Sequence, residues 1–286
     1  MDSTNKNNMI AKYDLHSHST ASDGFLSPAE LLKRASEQGV TALALTDHDT
    51  TAGLKEAYEA AATVNIHLIN GIELSVTWNG HCFHIVGLGI NPENPALKAG
   101  IKQIQTIRYE RVAKIAKLLE KKKIFGAYDA VIATAGETGM ITRSHFADFL
   151  VAQNHVNTEQ EAFDRYLGQG KSAYTNTTWA ELNDAVDWIN QAGGVAVVAH
   201  PMRYDLTSSW MKRFLTAFKE ASGAGIEVIT GRFNPDEIRR CADYAKKFEL
   251  AGSVGSDFHS PKNTWLELGR LATLPDGVKP IWELFR

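Results

Sequence analysis

The fold is decided by residues 13–49, "YDLHSHSTASDGFLSPAELLKRASEQGVTALALTDHD", in which two strand signals enclose one helix signal. Residues 13–18 alternate between the two faces of a strand, and residues 40–46 form an apolar run typical of a buried strand. Between them, Ser27, Pro28 and Glu30 form a capping sequence, which predicts a helix that stops at Gly39. This strand–helix–strand unit indicates a pair of parallel strands.

The same alternation continues along the chain on both sides of a central break. Further strand signals occur at residues 66–74, 81–90, 194–200, 225–230 and 250–257, and further helix signals at 51–64, 179–192, 210–221 and 235–248. About seven short strands, mostly separated by helices, predict an α/β protein with parallel strands in a sheet or barrel.

The central break, residues 98–176, carries long helical patterns and no convincing strand signal. It is interpreted as a helical insertion domain that contributes to substrate recognition. The predicted division is therefore a barrel formed by residues 13–97 and 177–286, the insertion at 98–176, and a polar tail at residues 1–12.

Composition sets the broad class of the protein. With 286 residues, 44% of them hydrophobic and 22% charged, the chain is an ordinary globular one. The net charge of −3 argues against general attraction to nucleic acid. Residues 98–123 nevertheless hold nine Lys or Arg against two Glu. This basic stretch is either a solvated helix face or an electrostatic guide for a phosphorylated substrate.

Targeting signals are missing from the sequence pattern. The polar start lacks the apolar run of a signal peptide, and no stretch approaches the roughly 20 apolar residues of a membrane span. Cys82 and Cys241 are too few and too far apart for a disulfide framework. We therefore expect a cytoplasmic protein without membrane association, and nothing in the sequence indicates an obligate protein partner.

Acids and histidines gather at the predicted strand ends. The C-terminal mouth of a barrel is where side chains from separate strands converge, so we expect these residues to meet there. Asp47 and Asp49, in contrast, are interpreted as caps of the following helix. The candidate ligands are His16, His18, Asp23, His48, Glu73, His84, His200, Asp257 and His259.

Imidazole and carboxylate are the only ligand types in this set. They suit manganese, iron or zinc and do not select sharply between them. Nine ligands exceed what one ion can use, so two or three divalent ions are expected. Clustered cations of this kind are typical of phosphoester hydrolysis.

The motifs "HSHS…D", "TDHD", "GIE", the histidine of "FHIVGLG", "AHP" and "SDFH" resemble those of the PHP (polymerase and histidinol phosphatase) family. The resemblance implies a distorted seven-stranded (β/α) barrel. It also implies three metal sites, with manganese favoured and iron or zinc as alternatives. The implied partition has one ion on His16, His18 and Asp257, with Glu73 bridging to a second on His84 and His200, and a third on Asp23, His48 and His259. A metal-bound hydroxide held by Glu73 and Asp257 would be the nucleophile, and the general acid is left open.

The insertion adds candidate substrate-binding residues in the run "TRSHF". Arg143 suits a phosphate group through its planar guanidinium, and His145 can donate to the same group. The alternative is an ion pair between Arg143 and a nearby carboxylate such as Asp148. Lys171 and Arg232 are weaker candidates, and for each of them an ordinary surface charge is the favoured interpretation.

Within the PHP family, the chain resembles the branch of bacterial 3′,5′-nucleotide bisphosphate phosphatases and 5′-to-3′ exoribonucleases such as ribonuclease AM. The resemblance implies a metal-dependent phosphoesterase that acts on 3′,5′-bisphosphates such as pAp and on the 5′ end of short 5′-monophosphorylated RNA. A histidinol phosphate phosphatase or another small-molecule phosphatase is one alternative. A barrel that binds metal and nucleotide without turnover is another.

Overall fold

In the computed structural model of the protein, the described residues are 11–135 and 140–285, so most of the predicted tail lies outside them. The strands are β1 Tyr13–Asp14, β2 Ala42–Leu45, β3 His67–Trp78, β4 His81–Leu88, β5 Ala180–Glu181, β6 Val195–Val198, β7 Gly225–Thr230 and β8 Ala251–Gly255. The helices are α1 Pro28–Glu37, α2 Leu54–Ala61, α3 Pro95–Glu120, α4 Ala127–Ala135, α5 Arg143–Ala152, α6 Glu159–Ala162, α7 Leu182–Gln191, α8 Ser208–Glu220 and α9 Pro235–Lys247.

The strands form a nearly closed barrel. Seven of them follow the order β1-β2-β3-β4-β6-β7-β8, and the short β5 pairs with β3 outside this path. The two ends of the path approach each other, because the Leu15 amide donates to the carbonyl of Val254 at 2.9 Å and Ser17 forms a parallel bridge with Phe258. This confirms the predicted seven-stranded α/β barrel.

The first strand–helix–strand unit forms as the sequence predicts. Ser27 caps α1, its side chain accepting from the Glu30 amide, while the Glu30 carboxylate accepts from the Ser27 amide at 2.9 Å. Every residue of β2 is buried, as expected for a central parallel strand. β1, β2 and β3 pair in parallel, and so do β6, β7 and β8.

β4 departs from the expected parallel arrangement. It pairs antiparallel with both β3 and β6. The reason is the connection: only Asn79 and Gly80 join β3 to β4, both with positive φ (46° and 77°). A two-residue turn of this type allows a hairpin, whereas a parallel pair needs a long crossover. The N-terminal half of β4, with His84, therefore lies at the end of the barrel where the parallel strands finish.

The buried apolar residues form separate clusters for the barrel and the insertion. One large cluster packs the sheet against α7, α8 and α9, and includes Leu97, Ile101 and Ile104 from the start of α3. A second cluster unites the rest of α3 with α4, α5 and α6, from Val112 to Ala173. The division into domains at residues 98 and 176 stays a prediction. No helix among the described residues has the length and apolar character needed to cross a membrane.

Candidate metal centre

The nine predicted ligands all lie at one mouth of the barrel. β1, β2, β6 and β8 each end directly before one or more of them, β3 carries Glu73, and the antiparallel β4 carries His84. Five of the nine are buried, with His16, His18 and Glu73 completely so, and the other four are partly buried. The full set is His16, His18, Asp23, His48, Glu73, His84, His200, Asp257 and His259.

Glu73 is the centre of this set. Its Oε2 lies 2.9 Å from Nδ1 of His48, and its Oε1 lies 3.0 Å from Nδ1 of His84. The carboxylate lies within 3.3 Å of five imidazoles, those of His16, His18, His48, His84 and His200. A buried carboxylate surrounded in this way can bridge neighbouring cations.

Three groups of ligand atoms are close enough to share an ion, with all atoms of a group within 4.8 Å of one another. They resemble the implied partition but differ at two histidines: His48 belongs both to the Asp23 group and to the Glu73 group, and His18 belongs both to the Asp23 group and to the Asp257 group. His200 lies outside the groups, although its Nε2 is 3.0 Å from Glu73 Oε1. The groups are His16, His18, Asp257; His48, Glu73, His84; and His18, Asp23, His48, His259.

The donor atoms fit divalent metal ions. Nε2 of His16 and Nε2 of His18 face each other at 3.0 Å, with Asp257 Oδ1 within 3.5 Å of both. Burying polar atoms without partners is costly, and a coordinated cation would remove that cost. Five buried atoms of the predicted ligands make no hydrogen bond: His18 Nδ1, Asp23 Oδ1, His48 Nδ1, Glu73 Oε2 and His200 Nδ1.

Burial and neighbouring charges shift the pKa values of the imidazoles at this mouth in opposite directions. Burial, with help from His259, lowers the pKa of His18 to about 3. Burial also opposes the charged form of His84, but the Glu73 carboxylate overcomes this and raises the pKa of His84 to about 10. Burial would raise the pKa of Glu73, yet the imidazoles of His48 and His16 hold it well below its usual range. Glu73 is therefore ionised, as a metal ligand must be.

Glu227, in the middle of β7, orients two of these residues and was not predicted. Its Oε1 lies 2.6 Å from His16 Nδ1, and its Oε2 accepts from the His200 amide at 2.5 Å. A carboxylate on the distal nitrogen of a ligating histidine fixes the ring orientation. His200 and Asp257 also have positive φ, at 29° and 55°, and such strain is typical of functional sites.

The prediction that Asp47 caps the following helix is wrong. Its carboxylate accepts from the amide of Ser19 at 2.8 Å and from the hydroxyls of Ser19 and Ser22 at 2.7 and 2.6 Å. Helix α2 instead begins after Gly53, without a side-chain cap. Asp47 therefore holds the loop that carries His18 and Asp23.

The cap prediction for Asp49 is also wrong. Asp49 accepts from the Ser75 amide at 2.7 Å and forms a buried ion pair with Arg108 of α3, whose Nε lies 2.6 Å from Oδ2. Arg108 Nη2 also donates to the Ser75 hydroxyl at 2.9 Å. Because Ser75 pairs with His84 across the β3–β4 ladder, this network fixes α3 beside the metal centre.

Helix α5 places the insertion over the barrel mouth. The Ser144 hydroxyl lies 3.3 Å from Asp23 Oδ2, so the start of α5 contacts the centre. Arg143 makes no ion pair with Asp148; its guanidinium faces the rings of Phe163 and Tyr174 at 5.8 and 6.0 Å. His145 accepts from the Thr142 amide through Nδ1 at 3.1 Å, which leaves Nε2 as its second polar atom.

A cluster of arginines beside Arg143 was not recognised from the sequence. Arg108 and Arg111 both lie over the indole of Trp179, at 5.0 and 5.2 Å. Burial, together with the charges of Arg143 and Arg108, lowers the pKa of Arg111 to about 9. Its Nε is buried without a hydrogen-bond partner, and no carboxylate of the described residues pairs with Arg111 or Arg143. The arrangement favours an anionic ligand.

The weaker substrate-binding candidates lie further out. Lys171 is exposed on the turn that follows Gly168. Arg232 is exposed as well and packs over the indole of Trp265 at 4.8 Å. Arg203, which the sequence reasoning missed, donates to Asp257 Oδ2 at 2.5 Å and so contacts a predicted ligand directly.

The family model for the PHP domain matches residues 14–228. A Haemophilus influenzae 5′-3′ exoribonuclease is 47% identical over 277 residues, covering 97% of this chain and 100% of that protein. A Chromobacterium violaceum 3′,5′-nucleoside bisphosphate phosphatase is 44% identical over 273 residues, covering 96% of each. A solved amidohydrolase structure from Chromobacterium violaceum, with bound sulfate and no metal, is 44% identical, covers 96% of both chains and has a TM-score of 0.91.

Proposed function

The chain belongs to the PHP domain family, and from this premise we propose that it is a metal-dependent phosphoesterase acting on 5′-phosphorylated nucleotides. The substrates are 3′,5′-bisphosphates such as pAp, which give the 5′-monophosphate and phosphate, and the 5′ end of short 5′-monophosphorylated RNA. The observation that carries the proposal is that Arg111 and Arg143 pair with no described carboxylate, while Ser144, next to Arg143, lies 3.3 Å from Asp23, and Arg111 shares Trp179 with Arg108.

The predicted metal ligands and the two arginines each bind a different phosphate of a doubly phosphorylated substrate. The nine ligand residues would hold divalent ions, which when bound supply Lewis-acid stabilisation of the phosphoryl group and an activated water. Arg111 and Arg143 bind the other phosphate, because guanidinium groups form forked hydrogen bonds to phosphate oxygens. The indole of Trp179 packs against Arg111, and the rings of Phe163 and Tyr174 pack against Arg143.

One pocket serves both substrates. A 3′-phosphatase acting on pAp and a 5′-to-3′ exonuclease acting on RNA each hydrolyse the ester on the 3′ side of a 5′-phosphorylated nucleotide. The relatives named above carry one of these activities each. Binding of the 5′-phosphate by the arginines then sets the scissile phosphate over the metal centre in either case.

The direct test uses purified, manganese-loaded protein with pAp and with a short 5′-monophosphorylated RNA. We expect AMP and phosphate from pAp, and stepwise loss of mononucleotides from the 5′ end of the RNA. RNA with a 5′-hydroxyl and histidinol phosphate are the comparison substrates. Phosphate release from histidinol phosphate with none from pAp would show that the substrate proposal is wrong.

Arg143→Ala and Arg111→Ala test the second-phosphate pocket. Each should lower kcat/KM for pAp by about 10- to 100-fold, because a hydrogen bond to a charged group is lost. Adenosine 3′-monophosphate has the same scissile ester without the 5′-phosphate, so its kcat/KM should change far less. Arg165→Ala, at an exposed arginine paired with Glu161, is the matched control. Equal losses on both substrates would contradict the pocket.

Several finer features belong to the same proposal. Manganese is the ion we expect in three sites, with Glu73 as the bridging ligand and the sites grouped as the family implies. Imidazole and carboxylate ligands are compatible with manganese, as they are with iron and zinc. A cytoplasmic location is part of the proposal, supported by two unpaired cysteines, Cys82 and Cys241.

A further inference from the structure

We propose that the His259 side of the barrel mouth binds the RNA strand downstream of the scissile phosphate, through two cation–aromatic pairs that we call the downstream track. The pairs are Phe25 with Lys262 and Trp265 with Arg232. The inference rests on the proposed function and extends it from the first nucleotide to those that follow.

Both aromatic residues of the track are unusually exposed. Phe25 and Trp265 each expose 54% of their surface, although aromatic side chains of this size are normally buried. Each has a cation beside its ring: Lys262 Nζ lies 4.6 Å from the centre of Phe25, and Arg232 Cζ lies 4.8 Å from the centre of Trp265. Single-stranded nucleic acid is bound by aromatic rings that stack on its bases and by nearby cations that contact its phosphates.

The track is continuous with the metal centre. Phe25 lies two residues after the predicted ligand Asp23, and its amide donates to the carbonyl of His259 at 2.7 Å. Lys262 and Trp265 lie on the segment that follows His259. Leu266 of that segment packs so closely on Gly231 that an added Cβ would come within 2.2 Å of it, which brings Arg232 to the same rim.

The arginines on the opposite side of the centre set the direction in which the RNA would run. His84 lies next to the Arg108 network, and consecutive imidazole contacts lead from there to His259 with a bend at His18, since the ring centres of His48 and His259 are 6.2 Å apart. Their ring centres are 4.9 Å apart for His84 and His48, 4.6 Å for His48 and His18, and 4.1 Å for His18 and His259. A strand whose 5′-phosphate contacts the arginines and whose first phosphodiester lies over the ligands therefore leaves on the His259 side.

The basic stretch of α3 is the competing path for the RNA. Two of its lysines have acidic neighbours, because Lys98 pairs with Glu93 at 2.5 Å and Lys114 lies 3.9 Å from Glu110. Lys121–Lys123 follow the half of α3 that packs in the insertion core, beyond the half that contacts the barrel. The exposed Phe125, at the end of this stretch, provides a variant that tests this path separately.

The test compares kcat/KM for a 5′-monophosphorylated hexanucleotide with kcat/KM for pAp, which has no downstream nucleotide. In Phe25→Ala and Trp265→Ala the ratio of hexanucleotide to pAp should fall by about 5- to 100-fold, as expected for loss of one stacked base. Tyr58→Ala, at another half-exposed aromatic residue on α2, is the matched control and should keep the wild-type ratio.

Three results would overturn the track. One is an unchanged ratio in both variants, and another is a parallel fall on both substrates. The last is a fall in Phe125→Ala alone, which would place the strand along α3. If the wild type hydrolyses neither substrate, the proposed function has failed, and equilibrium binding of a fluorescent hexanucleotide still decides the track. Weaker binding by Phe25→Ala and Trp265→Ala would support it, and unchanged binding would reject it.

Discussion

At the scale of single residues, Glu227 shows how a side chain outside the ligand set controls the centre. It is almost completely buried, and its two oxygens contact His16 Nδ1 and the His200 amide. With Nδ1 held by a carboxylate, His16 presents Nε2 to the centre. Glu227 thus orients two predicted ligands at once, His16 through its ring and His200 through its backbone.

Replacing Glu227 by Gln should weaken metal binding by about 10- to 100-fold, since the carboxylate that orients His16 is lost while the side-chain shape is kept. Competition between the protein and a chromogenic chelator measures this affinity. Glu237→Gln, in the exposed capping box of α9, is the matched control and should bind metal like the wild type. Equal affinities in both variants would show that Glu227 has no role in metal binding.

The nine candidate ligands could be recognised in the sequence because each lies within a strand signal or in the loop that follows one. Glu227 could not, since it lies within the apolar run of β7; a single acid in such a run was the only signal. Arg111 was hidden among the other cations of residues 98–123. Sequence pattern does not show which of these cations faces the centre, because this depends on how α3 packs against the barrel and Trp179.

At the scale of secondary-structure elements, α3 is the element that joins the two parts of the molecule. Its first half packs on the barrel through Leu97, Ile101 and Ile104, and its second half packs in the insertion core. Gly100 lies directly against α7, where an added Cβ would come within 2.2 Å of the Trp188 ring. The absence of a side chain at Gly100 therefore allows α3 to approach α7.

Gly100→Ala should destabilise the protein, although alanine in a helix interior normally gains about 1 kcal/mol over glycine. Overpacking against the Trp188 ring should outweigh this gain, with a net loss of about 1–3 kcal/mol in the free energy of unfolding. Denaturant unfolding measures the change. The double variant Gly100→Ala, Trp188→Leu should recover part of it, because the smaller side chain leaves room for the new methyl group. A single variant more stable than the wild type would contradict this packing.

The antiparallel direction of β4 could not be predicted from the number of strands alone. The sequence predicts the strand but not its orientation, because parallel pairing was inferred from the helices between most of the strands. The Asn79–Gly80 pair between two alternating runs was the available hairpin signal. Since β4 is antiparallel, His84 reaches the mouth from the start of its strand, which the rule of C-terminal strand ends does not predict.

At the scale of the whole molecule, the metal centre and the insertion core are built differently. The predicted ligands come from both ends of the chain, from His16 to His259, and they meet where β1 approaches β8. The insertion core has its own buried residues, among them Phe146, Leu150 and Leu167. Polar contacts between the two parts include the Asp49–Arg108 pair and the Ser144–Asp23 hydrogen bond.

Removing the metal should therefore loosen the barrel mouth and leave the insertion core protected. Binding at a hundredfold excess over Kd stabilises the native state by about 2.7 kcal/mol per site. At about 2–4 °C per kcal/mol, chelation should lower Tm by about 5 °C or more. Hydrogen exchange after chelation should speed up at Leu15, His18 and Asp257, whose amides bond across the barrel seam, and not at Leu150. Faster exchange at Leu150 as well would mean that the two parts unfold as one cooperative unit.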